Sequence, residues 1–357
     1  MERMSRLGRL LDEALAQGLG SAAAVSVGDG GHEVFRHVAG TVRRVPDRGP
    51  AVDATTRFDL ASVTKPMATV AIAMVLVAER RLDLDAPVRT YLRDATTTAS
   101  VRQLLAHSAG CAAHVEFFRY LRTVQPPNPY EVLVERAMRE PCGPPGIESV
   151  YSDLGFIQLG AVLERAGNAP LETLFAQLVA EPLGLVSASY AQREPLQNCV
   201  ATELDDRGLV CGLVHDENCY FGGGVAGHAG LFATLDDVMQ FAISIVETAA
   251  GNPRGRFTAD VVTRFFTDAP LPGSTWRLGW DTPSPIPGVS QAGDRWPRTG
   301  AVGHTGFTGT SLWLDLAHRR WVALLTNRVH PTRHGDTADR IKALRRAVND
   351  AVVDALG

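Results

Sequence analysis

The strand-like segments of this chain sit at its two ends, with a long strand-poor stretch between them. Near the N-terminus, "SAAAVSVGDGGHEVFRHVAG" (residues 21–40) alternates around a glycine turn and reads as a two-strand hairpin. Near the C-terminus, "STWRLGWD", "GTSLWLDL" and "RRWVALLTNR" read as further strands. From about Leu82 to Gly212 the pattern is helical and loop-rich, as in "VRQLLAHSAG", "PYEVLVERAMRE" and "DLGFIQLGAVLERAG". This order predicts a mixed α/β (α+β) fold: one sheet domain built from residues 1–80 and 213–357, and a mainly helical domain, residues 81–212, inserted into it. Helices frame the whole. "MERMSRLGRLLDEALAQGLG" opens the chain with Met4, Leu7, Leu10, Leu11, Ala14 and Leu15 on one face, and "ADRIKALRRAVNDAVVDAL" closes it.

Composition narrows the function. A net charge of −4 over 357 residues, with no basic block, gives no reason to expect nucleic acid or an anionic membrane as partner. The apolar run Met67 to Ala78 has the length of a buried core helix, too short to span a bilayer, and the N-terminal helix lacks a signal peptide's uninterrupted apolar core. Five cysteines, an odd number at no metal or redox spacing, read as free buried thiols. The expectation is a cytoplasmic enzyme or binding protein without a metal or organic cofactor.

Of the 35 basic residues, 33 are arginines, and only Lys65 and Lys342 are lysines. Lys65 lies three residues after Ser62 in "FDLASVTKPMATV", where a helix starts. Positions i and i+3 share a helix face, so hydroxyl and amine can meet. Arginine cannot release its proton in a protein, whereas a buried lysine can. A serine at a helix start also has a free backbone N–H near the positive end of the helix dipole. The pair therefore offers a nucleophile, a proton acceptor and one oxyanion donor.

Two further stretches carry chemistry. In "ESVYSDLGF", Tyr151 could act as general base if a neighbouring ammonium lowered its pKa, with Asp153 beside it. In "VGHTGFTGTSLWLDL", His304, Thr305 and Gly306 open a strand, and the N–H of Phe307 could be a second oxyanion donor. Ser-x-x-Lys, Tyr-x-Asp and His-Thr-Gly, in that order, resemble the penicillin-recognising serine enzymes. The branch resembled is the one with tyrosine in the middle motif: class C β-lactamases, D-aminopeptidases, DD-peptidases, family VIII carboxylesterases. "VHDENCYFGGGVAGHAGLF" looks most like the subgroup containing penicillin-binding protein 4B.

The resemblance implies an acyl-enzyme on Ser62, with Lys65 and Tyr151 managing its proton and the Ser62 and Phe307 amides holding the oxyanion. Asp153, His304, Thr305 and Gly306 would line the substrate cleft, and the substrate would be a small ester, amide or β-lactam. Acyl transfer from the same intermediate, D-aminopeptidase or DD-peptidase activity, and non-catalytic β-lactam or muropeptide binding are the alternatives. Two positions depart from the family pattern. His304 replaces the usual lysine, giving a partly charged, pH-dependent anion site. Asp153 replaces the usual asparagine, where it could anchor Lys65 but would repel an anionic substrate. Both favour an esterase, amidase or aminopeptidase over a dedicated β-lactamase. His215, Asp216 and Glu217 read as structural, His107 and His228 as buttresses of glycine turns, and Arg328 and Arg333 as either surface residues or substrate contacts.

Overall fold

The computed structural model describes residues 2–191 and 194–357. Its main sheet joins the two chain ends. Strands β1 (Ala22–Asp29) and β2 (His32–Gly40) form the N-terminal hairpin, and β3 (Ala301–Thr305), β4 (Ser311–Asp315) and β5 (Arg320–Thr326) follow from the C-terminal part. The order across the sheet is β2-β1-β5-β4-β3, every neighbour antiparallel. The seam between the ends is the β1–β5 pair, with Val25 opposite Leu324 and Val27 opposite Val322.

Period-2 alternation gives this sheet two apolar faces. Ala23, Val25, Val27, Trp313, Val322 and Leu324 pack against helices α1 (Glu2–Ala16) and the C-terminal helix, through Leu7, Leu11, Val348 and Val352. Both helices present the apolar stripe that their periodicity predicts. Ala24, Leu312, Leu314, Trp321, Ala323 and Leu325 face the larger core instead. Each face seats a tryptophan over a glycine: a Cβ on Gly303 would lie 2.3 Å from the Trp313 ring, and one on Gly28 would lie 2.2 Å from the Trp321 ring.

In the larger core runs α2 (Ala61–Ala78), whose residues from Met67 to Leu76 are almost wholly inaccessible. A helix that is apolar on every side has no face to give to water, so it is buried. It is wound tightly over Ala61–Val63 and widely over Lys65–Val70, with Pro66 in the first turn where its missing N–H costs little. Helices α3 (Asp153–Gly167), α4 (Leu235–Ala249) and α5 (Thr337–Leu356) complete the frame of the site.

Three expectations fail locally. His304 and Thr305, read as opening a strand, instead end β3, and Gly306 lies in the turn that follows. Residues 201–205 and 208–211, placed by sequence in a helical stretch, form a hairpin whose turn is closed by "DDRG". "STWRLGWD" is not a strand: it contributes one isolated bridge, Asp281 to Gly303, because its backbone turns at Gly279 with φ of 82°. All five cysteines are free, three of them buried.

Gly303→Ala should destabilise the fold by about 1–3 kcal/mol, the usual cost of overpacking a filled core. Urea denaturation at neutral pH reads this, and an unchanged midpoint would mean Trp313 has room to move.

Candidate active site

The chain enters α2 under several restraints. Ala61 has a φ of 47°, rare for a residue with a Cβ, and its N–H donates to Asp59 Oδ1 at 2.8 Å. The other Asp59 oxygen accepts from the His215 N–H at 2.7 Å. The Thr308 and Thr310 hydroxyls donate to the carbonyls of Asp59 and Leu60, at 2.8 and 2.9 Å. These bonds tie the β3–β4 turn, which carries Phe307, to the backbone just before Ser62. The Ser62 and Phe307 amides donate to no protein group among the described residues.

Tyr151 is fixed from both sides. The Val150 N–H donates to the His107 carbonyl (2.9 Å), and the Ser152 N–H donates to His107 Nδ1 (3.0 Å). Ser152 caps α3, its hydroxyl accepting from the Gly155 N–H and donating to the Ala112 carbonyl. The Tyr151 ring packs in one cluster with His107, at 4.7 Å between centroids, and Trp276, at 5.3 Å, whose own rings are 4.4 Å apart.

Lys65 is the hub, with none of its side chain exposed. Its Nζ lies 3.0 Å from Ser62 Oγ, 2.7 Å from the Tyr151 hydroxyl, 2.7 Å from Asp153 Oδ1 and 3.2 Å from the His228 carbonyl. Burial disfavours the ammonium, but the charge of Asp153 and the hydrogen bonds to Asp153 and Tyr151 outweigh it and raise the Lys65 pKa. Asp153, though desolvated, is held below the usual carboxylate range by Lys65 and by His114, whose Nδ1 is 3.6 Å from Asp153 Oδ2. Lys65 thus rests as an ammonium against a carboxylate.

Tyr151 departs from expectation. Burial is the largest influence and raises its pKa, Asp153 raises it further, and the lowering by Lys65 does not compensate. The resting phenol is neutral. His304 is corrected as well. It is 2% exposed, its Nδ1–H donates to the Thr305 carbonyl at 2.9 Å, and burial together with Lys65 pushes its pKa down to about 3. It is a neutral wall of the site rather than a partly charged anion grip.

Ser62, Tyr151, Asp153, His304, Thr305, Gly306 and Phe307, all singled out from sequence, line one cleft of about 630 Å³, with the buried Lys65 amine bonded to Ser62, Tyr151 and Asp153 behind that lining. His215, Asp216 and Glu217 line it too. His215 Nε2 lies 2.8 Å from Glu203, and Asp216 lies 2.9 Å from His228 Nε2. Arg333 is bound to Glu203 and Glu217, and Arg328 donates to the Phe307 carbonyl at 2.8 Å. Sequence reasoning missed His114, Trp276 and Arg345, which occupy no recognisable spacing. Among the described residues, no group of three or more His, Cys, Asp or Glu is placed to hold a metal.

A hydroxyl, an amine and a phenol in one hydrogen-bonded chain, beside two free backbone amides, can deprotonate an alcohol and stabilise an oxyanion. The beta-lactamase family model matches residues 7–346, and the chain belongs to that family. It is 28% identical to the N-acetylmuramyl-L-alanine amidase of Bacillus subtilis strain 168, over 92% of this chain and 82% of that one. It is 25% identical to a protein of Escherichia coli K12 named "Putative D-alanyl-D-alanine carboxypeptidase", over 92% and 83% of the two chains. The fold is similar to that of EstCE1, described as a hydrolase with promiscuous acyltransferase activity, at a TM-score of 0.72 and 22% identity over 99% of both chains.

Acid stability follows from the buried histidines. Burial lowers His107 and His304, and lowers His330 to about 4, so the folded protein refuses protons that the unfolded chain takes up near pH 6.5. Stability should fall as pH drops below about 6.5, by about 1.4 kcal/mol per pH unit for each such histidine until its folded pKa is reached. His304→Gln should flatten the pH dependence of the urea midpoint between pH 6.5 and 4. Identical slopes would mean His304 accepts a proton in the folded state.

Proposed function

We propose that the protein is a serine hydrolase that forms an acyl-enzyme on Ser62 and hydrolyses a small ester or amide. The observation that carries this reading is the Lys65 amine within 3.0 Å of the hydroxyls of both Ser62 and Tyr151, which line an open cleft. The name of the amidase relative agrees with an acyl substrate of this kind.

The resting ammonium and phenol set the order of events. The Lys65–Tyr151 pair first loses one proton to solvent, a loss that the Asp153 charge opposes. Ser62 Oγ then attacks the acyl carbonyl while its proton passes to the pair, and the amides of Ser62 and Phe307 hold the tetrahedral oxyanion. The pair returns that proton to the departing alcohol or amine. Water, deprotonated by the same pair, attacks the acyl carbon, and the pair passes that proton to Ser62 Oγ as the ester bond breaks and the carboxylic acid leaves. Neutral His304 offers no charge for a substrate carboxylate, which favours a neutral acyl group over a penicillin. Passing the acyl group to an alcohol or amine would use the same intermediate, with water kept out.

Ser62→Ala should lose the adduct formed with a fluorophosphonate and lower p-nitrophenyl ester turnover at least about a thousandfold. Undiminished labelling of that variant would overturn the mechanism. Lys65→Arg keeps the charge but not the labile proton, and should cost at least about a hundredfold in acylation rate.

The pH profile tests the role of Asp153. Activity should rise with pH through an apparent pKa above neutral, since Asp153 raises both Lys65 and Tyr151. Asp153→Asn should move that limb to lower pH by about 1–3 units. A limb that stays in place would mean the carboxylate does not govern the base.

A further inference from the structure

Arg345 is a buried cation without a counter-ion. It projects from α5, is 4% exposed, and pairs with no carboxylate among the described residues. Its guanidinium is spent on neutral oxygens. One nitrogen donates to the Gly306 carbonyl at 2.6 Å and the Thr310 carbonyl at 2.8 Å, and another donates to Gln291 Oε1 at 2.6 Å. Its Nε has no protein partner. Burial and nearby Arg328 push its pKa down to about 9, so it is still charged at neutral pH. An unpaired charge in the interior is costly, and two carbonyls do not neutralise it.

The placement of these two carbonyls gives the charge a use. Gly306 and Thr310 close the mouth of the β3–β4 turn: the Gly306 N–H donates to the Thr310 carbonyl at 2.7 Å, and the Gly309 N–H to the Gly306 carbonyl at 3.1 Å. The Gly306 carbonyl and the Phe307 N–H belong to one peptide group. A cation bound to the oxygen draws density from the nitrogen and makes its N–H a stronger donor, as hydrogen-bonded chains polarise one another. It also fixes the plane of that peptide, and so the direction in which the N–H points. The turn tolerates little movement: a Cβ on Gly306 would lie 2.1 Å from Thr310 Oγ1 and 2.5 Å from the Leu60 carbonyl. Arg328 holds the next peptide in the same manner, through the Phe307 carbonyl.

We propose that Arg345 is a positioning residue for the oxyanion site, acting through the Gly306–Phe307 peptide to orient and polarise the Phe307 N–H. The inference rests on the Ser62 acyl-enzyme reading, in which that amide is the second oxyanion donor. Its rival is direct use of the guanidinium to bind a substrate carboxylate, since Arg345 also borders the cleft.

The test compares wild type, Arg345→Lys and Arg345→Met with an uncharged p-nitrophenyl ester and an ester carrying a free carboxylate. Phenylalanine-selective ¹⁵N labelling follows the Phe307 amide proton, and thermal melts check folding. For Arg345→Met, kcat should fall about ten- to a hundredfold on both esters with KM nearly constant, a fraction of the loss when a whole oxyanion donor is removed. The Phe307 amide proton should move upfield, and Arg345→Lys should recover part of both effects. If Arg345→Met fails to fold, the lysine variant carries the same comparison at smaller amplitude. A loss confined to the carboxylate ester, or an unshifted Phe307 amide in a folded variant, would overturn the proposal. Should wild type itself form no Ser62 adduct, it is the acyl-enzyme reading that fails, while the amide shift still reports on the Arg345 contact.

Discussion

A primary ammonium with no surface in water must find its counter-charge within the protein, and for Lys65 that charge is Asp153, 2.7 Å away. Much of the site's architecture serves this contact. Lys65 comes from the first turns of α2 and Asp153 from the first residue of α3, so the pair joins two elements 88 positions apart in sequence. The Tyr151 hydroxyl bonds the same amine, and the residues flanking Tyr151 are held by the His107 carbonyl and ring. Losing either partner would strand the other as an unpaired buried charge, a loss of about 3–5 kcal/mol. A carboxylate at this position therefore does more than fill the place of an amide: it stores a proton on the lysine.

That stored proton shapes the electrostatics of the cleft. Lys65 helps to keep His304 neutral, so β3 brings no charge to the cleft through that side chain. Positive charge enters from behind the β3–β4 turn, through Arg345 on the Gly306 carbonyl and Arg328 on the Phe307 carbonyl. The acidic residues Asp216 and Glu217 that also line the cleft are already bound to His228 and Arg333. A cleft arranged in this way suits an uncharged acyl group whose charge develops only when it is attacked.

Much of this was legible in the sequence, for identifiable reasons. The sheet shared between chain ends could be read because the N-terminal hairpin alternates around a glycine turn and β4 and β5 are short apolar runs, and α1 and α5 because their apolar residues recur at helical spacing. Ser62 and Lys65 stood out through spacing and the scarcity of lysine. Tyr151 and His304 drew attention only together with the order of the motifs. What could not be read depended on depth. Whether a lysine lowers a tyrosine's pKa or burial raises it is decided by how much water reaches the phenol, and spacing carries no such information. His114, Trp276 and Arg345 come from two loops and a helix that converge only in the fold. The 201–211 hairpin was hidden because its strands are short and interrupted by a register shift.

The central claim is that Lys65 rests as an ammonium because Asp153 holds its proton. The scarcity of lysine makes this directly measurable, since ¹³Cε-lysine labelling yields only two residues to follow, and Lys342 is half-exposed and serves as the reference. The account predicts that the Lys65 signal stays at its ammonium position through neutral pH. In Asp153→Asn it should titrate at lower pH. A Lys65 signal already at its neutral-amine position at pH 7 in the wild-type protein would contradict it.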